Sequence, residues 1–340
     1  MVDDGFPITT EISLLMDLVK PPETVLEAMA SLGHNTGSGR SPVPWRKFGV
    51  KYLANEIFFD VCEDINAIVD ANGSVVFCEV VGKIKCNCKL SGMPDLTLKF
   101  RDPSILDDVS FHPCVRYSRF EQDRTISFVP PDGNFTLMTY RVIDNLPPTL
   151  PIYARPQISI QEGKMNFQMM CGIKNVPGNK FTSTLGSNPN GMLSTITPLN
   201  VEKISVEVPL ADQYANNGLN VDQFNVMTCS VGEANFDAIS KKIVWNIGKL
   251  SASTLVTTPN GTTKMMNTAK TPALTANAVY TTKDNSTPVT PAAVLVHFEL
   301  PASCFSKVKV ESVEVKKEKY QPFKGVRYCA ESANIEFRTS

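Results

Sequence analysis

From Trp45 to the C-terminus the chain holds no helical hydrophobic period of useful length. Apolar residues recur instead at alternate positions between turn-forming clusters. Such a chain must bury one face of each strand, so it folds as sheet packed on sheet. Residues 55–69, rich in Phe, Ile and Val, and residues 74–90 read as two long strands. Asn72-Gly73 between them is the pair a type I′ hairpin turn needs. Pro130-Pro131-Asp132-Gly133 signals a further hairpin between 125–129 and 134–142. Alternation returns at Val308 and Val310, then at Val313 and Val315. Only residues 1–33 carry a helical period. Ile12, Leu15, Met16 and Val19 form one face, Pro21-Pro22 stops that helix, and a second short helix ends near Gly33. Residues 35–46, rich in Gly, Ser and Pro, read as a flexible linker.

Between about 148 and 302 the texture changes. Prolines cluster at 147, 148, 151 and 156, and Asn, Gly, Thr and Ser dominate 175–200 and 251–291, which read as long loops. Strands remain legible at 158–160, 204–208 and 243–247. The expectation is an all-β fold of two β-sandwiches, the second (148–302) inserted into the first (47–147 and 303–340), preceded by two short helices.

Of the 340 residues, 42% are hydrophobic and 20% charged, the balance of an ordinary globular protein. The net charge of −1 gives no global field toward nucleic acid. Asp3 and Asp4 replace the basic start of a signal peptide, and no run of 18 apolar residues exists, so the reading is cytosolic. Nine cysteines without a CxxC pair and three scattered histidines argue for reduced structural thiols rather than a metal site, and no cofactor is implied. Sequence signatures of hydrolases, metalloproteases and phosphate-binding loops are missing. Asp107-Asp108 and Asp132 make a poor acid–base pair, and His112 reads as a packed structural histidine. An enzyme is not expected.

Several stretches carry a family likeness: Trp45-Arg46, Val50-Lys51-Tyr52, residues 55–61, 90–95, 106–115 and 124–133, Tyr140-Arg141, residues 242–248 and the C-terminal 320–328. In order and spacing the chain resembles the mu-homology domain of the medium subunits of heterotetrameric vesicle adaptors. The segment 322–327, with Gly325 where relatives carry Trp, and residues 5–22 favour the third adaptor complex. The resemblance implies that 1–34 is the helical remnant of a longin-type domain, most of which is missing.

It also implies what the chain binds: Tyr-x-x-Φ sorting signals (Φ bulky and apolar) in cytosolic tails of transmembrane cargo, added as a strand along an edge at 323–329. Phe58 and Arg327 would sandwich the tyrosine, Asp60 would accept its hydroxyl, and Asn87 stands where relatives place a lysine. Phe59, Val310, Val313, Val326 and the stem of Lys324 would line the Φ pocket beside Gly325. Implied partners are two large subunits and one small one, and the implied place is the cytoplasmic face of Golgi and endosomal membranes and transport vesicles. Seven basic residues (Lys307, Lys309, Lys316, Lys317, Lys319, Lys324, Arg327) offer a contact for anionic lipid. A scaffold with a dead signal pocket is the alternative.

Overall fold

A computed structural model of the chain describes residues 43–47, 49–161, 163–174, 200–210, 220–251, 271–281 and 293–339, with short strand pieces at 2–3, 6–7, 254–257 and 263–266. The two helices expected within 1–33 and the loop expected over 175–200 lie outside the described residues, apart from Asn200, where a strand begins.

The all-β architecture expected from the alternation is the one observed. In chain order the strands are β1 (Val2–Asp3), β2 (Phe6–Pro7), β3 (Glu56–Val69), β4 (Val75–Lys89), β5 (Asp95–Phe100), β6 (Asp108–Phe111), β7 (Ile126–Phe128), β8 (Gly133–Val142), β9 (Ile152–Gln161) and β10 (Lys164–Ile173). There follow β11 (Asn200–Pro209), β12 (Asn220–Cys229), β13 (Glu233–Asp237), β14 (Lys242–Ser251), β15 (Thr254–Thr257), β16 (Thr263–Met266), β17 (Ala273–Thr281), β18 (Ala293–Pro301), β19 (Val310–Lys316) and β20 (Phe323–Arg338). A nine-stranded sheet in the order β13-β14-β11-β18-β20-β3-β4-β8-β6 runs through the molecule. The sheet β19-β5-β7 and the sheet β12-β17-β10-β9 complete the architecture, and β15–β16 and β1–β2 form separate pairs. One continuous sheet therefore joins the two parts, through β18 pairing with β20.

β3 sets the frame. Its odd positions Ile57, Phe59, Val61, Ile65, Ala67 and Val69 are buried, and its even positions face outward. Each large apolar side chain so buried contributes roughly 1.5–3 kcal/mol. The exception inside is Glu63, fully buried. Its carboxylate accepts hydrogen bonds from Phe305 N (2.6 Å), Ser306 N (3.0 Å), the Ser306 hydroxyl and the Tyr140 hydroxyl (2.9 Å). Gly82 has no room for a side chain, because a Cβ there would meet the Tyr140 ring at 2.0 Å.

Four expectations need correction. The β3–β4 connection is not a type I′ turn: Gly73 has φ +85° but Asn72 does not, and the Asp70 carboxylate organises a longer loop by accepting from Asn72 N (3.0 Å) and Ser74 N (2.7 Å). Pro130-Pro131-Asp132-Gly133 is not a hairpin, since β7 pairs β5 while β8 pairs β4 and β6. The prolines there carry the chain from one sheet to the other. A two-turn helix, α1 (Tyr117–Asp123), buries Phe120 in a region read as free of helix; it is too short to show a period. The stretch 251–291 is not one loop, because β17 within it alternates regularly and buries Leu274, Ala276, Ala278 and Tyr280.

Trp45 and Arg46, at the end of the expected linker, are pinned. The Trp45 indole donates to Val129 O (2.7 Å). The fully buried Arg46 guanidinium donates to Gly92 O (2.8 Å), Pro130 O (3.1 Å) and Leu90 O. Tyr52 donates its hydroxyl to Asp132 (2.7 Å), so the motifs around 45–52, 90–95 and 130–133 form a single latch.

Candidate functional site

Because β3 buries its odd residues, Phe58 and Asp60 must face out. Parallel pairing sets Gly325 beside Phe58 and Arg327 beside Asp60, and antiparallel pairing sets Asn87 and Lys85 on the other side. β8 extends the rows with Asn134 and Thr136. Phe58, Asp60, Asn87 and Arg327, the four residues expected at a tyrosine pocket, thus share one open cavity of about 320 Å³. Lys85, Cys86, Asn134, Phe135 and Thr136 complete its lining. Sequence reasoning missed them, although strand register from the Phe58–Asn87 pair would have placed Lys85 opposite Asp60.

Asp60 and Arg327 form a bidentate pair, with Arg327 donating from Nε at 2.7 Å and from Nη2 at 3.0 Å. Their side chains are 34% and 73% exposed, so the pair is open to an incoming group. The hydrogen bond to Asp60 raises the Arg327 pKa above its ordinary value. An ionised carboxylate offers about four lone-pair positions, so Asp60 keeps acceptor capacity for a hydroxyl donor. Lys85 lies exposed at the same cavity with no ion-pair partner among the described residues and supplies a cation near where Asn87 leaves one out.

Phe58 lies over Gly325, where a Cβ would stand 2.6 Å from ring atom Cδ1. Phe323, 64% exposed, tilts against Phe58 with ring centroids 5.6 Å apart. Residues 323, 325 and 327 share one face of β20, so this ring extends the Phe58 platform; i, i+2 spacing on a strand is the signal that could have found it.

The opposite face holds the residues expected at a hydrophobic pocket, less completely. Val326 pairs with Phe59 and faces inward, and Val310 and Val313 are half-buried on β19. Phe59 itself is 0% exposed and sits in the core, so it backs this region rather than lining an open pocket. Lys324 reaches across to β19 and donates to Val313 O (2.7 Å).

The expected binding edge is shorter than 323–329. Cys329 pairs with Pro301 of β18, whereas residues 323–328 have a strand partner only on the β3 side among the described residues. The basic stretch is largely engaged: Lys316 with Glu314, Lys317 with Asp95, Lys324 with Val313 O and Arg327 with Asp60. His112 is structural, its Nδ1 accepting from Cys114 N (3.1 Å).

Residues 43–339 match the adaptor complexes medium subunit family. The whole chain is 36% identical to the AP-3 complex subunit mu of Dictyostelium discoideum and 36% identical to the AP-3 complex subunit mu-1 of Homo sapiens, in each case covering 72% of the relative. Among solved structures, the yeast delta-COP-I mu-homology domain is similar at TM-score 0.53 and 16% identity, covering 85% of this chain and all of that one. The mu-homology domain of Danio rerio Fcho1, solved with an Eps15 peptide, is similar at TM-score 0.53 and 13% identity, covering 84% of this chain and 98% of that one. At these identities the structures speak for the mu-homology fold.

Proposed function

Since the chain belongs to the adaptor complexes medium subunit family, whose members are non-enzymatic cargo adaptors of vesicle transport, we propose that it reads Tyr-x-x-Φ signals in the cytosolic tails of transmembrane cargo. The observation that carries this reading is the open, bidentate Asp60–Arg327 pair beside the Phe58 ring, next to a strand edge that no described strand pairs over 323–328. A peptide added along that edge gains main-chain hydrogen bonds. Its tyrosine lies on Phe58 and Phe323, its hydroxyl donates to Asp60, and its Φ side chain, on the other face, enters between Val326 and the β19 valines. Phosphorylation of the tyrosine brings about −1.5 to −2 charge against Asp60 and opposes binding. Lys85 and Arg327 soften that opposition.

By the same reading the chain serves in an AP-3-type complex with two large subunits and one small one, on Golgi and endosomal membranes and transport vesicles. Its exposed lysines, Lys307 and Lys319 among them, contribute peripheral contact with anionic lipid. The test is calorimetric titration of the full chain with a Tyr-x-x-Leu peptide, an Ala-x-x-Leu control and the Asp60→Ala protein. Micromolar binding that disappears in both controls supports the reading. Equal heats for the two peptides, or unchanged binding to a folded Asp60→Ala protein, overturn it.

A further inference from the structure

A second and larger cavity, about 760 Å³, lies where the β3–β4 loop, the start of β9 and the ends of β10 and β20 converge. It lies at the opposite ends of β3 and β20 from the tyrosine site and shares no lining residue with it. Six consecutive residues of β9, 152 to 157, line it. Side chains of a strand alternate between faces, so a run of both parities means that the cavity meets the strand edge-on. β9 ends its four-stranded sheet and, among the described residues, pairs only with β10. Pro156 within it is a residue that edge strands accept and central ones do not. Among the described residues, the cavity therefore has an unpaired backbone ladder as one wall.

The other walls have a definite chemistry. Val75, Tyr153 and Ile173 give half-buried apolar surface, backed from the core by Val69, Leu150, Ile152 and Phe337. Arg155, Lys174 and Arg338 stand around it as three cations. Among the described residues Asp70 is the one carboxylate in the lining, and its Oδ1 already accepts from two loop amides. Three cations against one acid leave the cleft net positive in a chain whose total charge is −1.

We propose that this cleft is a second peptide-binding site, which takes an extended acidic segment of a partner protein by strand addition to β9. The free ladder supplies main-chain pairing, the apolar floor takes alternate aliphatic side chains, and the cations face the intervening carboxylates. A headgroup of an anionic lipid would satisfy the cations but use neither the ladder nor the floor, so the peptide is the better fit.

The probe is a fluorescein-labelled peptide alternating Leu with Asp or Glu, followed by anisotropy on the full chain. Binding is expected, weakened at least tenfold by Arg155→Glu with Lys174→Glu and unchanged by Asp60→Ala. On wild-type protein, the same peptide N-methylated at alternate amides should also bind at least tenfold more weakly, and this arm needs no variant to fold. Equal affinity for the N-methylated peptide, or for polyglutamate of the same length, overturns the proposal by showing charge alone at work. Loss of binding in Asp60→Ala would assign the peptide to the tyrosine site and overturn it too. So would a double variant that keeps the peptide and loses only vesicles containing phosphatidylserine.

Discussion

Gly325→Ala tests the tyrosine platform with a single methyl group. The new Cβ would stand 2.6 Å from Phe58 Cδ1 and 2.9 Å from Cε1, against the 3.4 Å at which ordinary contact begins. β20 cannot retreat, because it is paired to β3 on both sides of this residue. The ring must yield, by about 0.8 Å at Cδ1. Phe58 is half-exposed and can swing outward, so the cost to folding is that of an off-rotamer side chain, about 0.5–1.5 kcal/mol. The cost to binding is different in kind. An aromatic pair contributes about 0.5–1.5 kcal/mol beyond its buried area, and a displaced ring forfeits much of it, which is roughly a two- to twelvefold rise in Kd.

Calorimetry with the Tyr-x-x-Leu peptide reads the Kd, and urea unfolding of the same samples reads stability. The discriminating sample is the double variant Phe58→Ala with Gly325→Ala. If Gly325→Ala acts through the ring, the double variant binds no worse than Phe58→Ala alone. Additive losses in that cycle, or an unchanged Kd for Gly325→Ala, refute the platform.

Four further outcomes bear on stability. Glu63→Ala strands two buried backbone N–H groups and should cost about 3–5 kcal/mol in urea unfolding, whereas Glu63→Gln should cost far less. Burial raises the Glu63 pKa above 4.5 despite its four donors, so the wild type gains its contribution at low pH and should lose stability relative to Glu63→Gln as pH rises through the raised value. Gly82→Ala drives a methyl into the Tyr140 ring and should destabilise by about 3 kcal/mol or more, read as a fallen midpoint at unchanged slope. Partial burial works against Asp95, yet hydrogen bonds from Arg116 and Lys317 hold its pKa below 3.8; that stability is present above 3.8 and is lost as pH falls through the lowered value, so Asp95→Asn should flatten the acid limb of a pH–stability curve.

What could be seen in the sequence followed how loudly each strand alternates. β3 carries Phe, Ile and Val at every inward position but two, and its ends were legible to within a residue. β17 alternates just as regularly in burial, but its inward face carries two alanines and its outward face carries Ala273 and Val279, so hydropathy does not separate the faces. Between Val308 and Val310 and the later Val313 and Val315 the parity of the apolar positions changes. The reason is a β-bulge: Val310 pairs with Phe100 but Ser312 with Lys99, which exchanges the two faces. The hairpin expected at 130–133 failed because turn residues announce a reversal of direction without saying which sheet receives the next strand. Of the proposed tyrosine site, the candidates on β3 and β20 came from the resemblance, and the structure brings Phe58, Asp60 and Arg327 to one cavity. Lys85 and Thr136 follow only once the pairing of β3 with β4 and of β4 with β8 is known, whereas Phe323, two residues from Gly325 on one strand, was open to plain i, i+2 spacing.

One strand carries both the lock and the site. Asp60 and Glu63 are three residues apart on β3, so alternation sends one carboxylate to solvent and the other to the core. Glu63 ties the 305–306 segment and Tyr140 of β8 to β3, which fixes the chain just after β18 ends. β18 leaves β20 at Cys329, and beyond that point no described strand pairs with the outer edge at 323–328. A buried acid held by four donors has little freedom, so the strand that presents Phe58 and Asp60 is set before any ligand arrives. Preorganisation of that kind follows from core chemistry, and it explains why an exposed ion pair of small intrinsic value can still mark a site: its partners do not have to be ordered by the peptide they would receive.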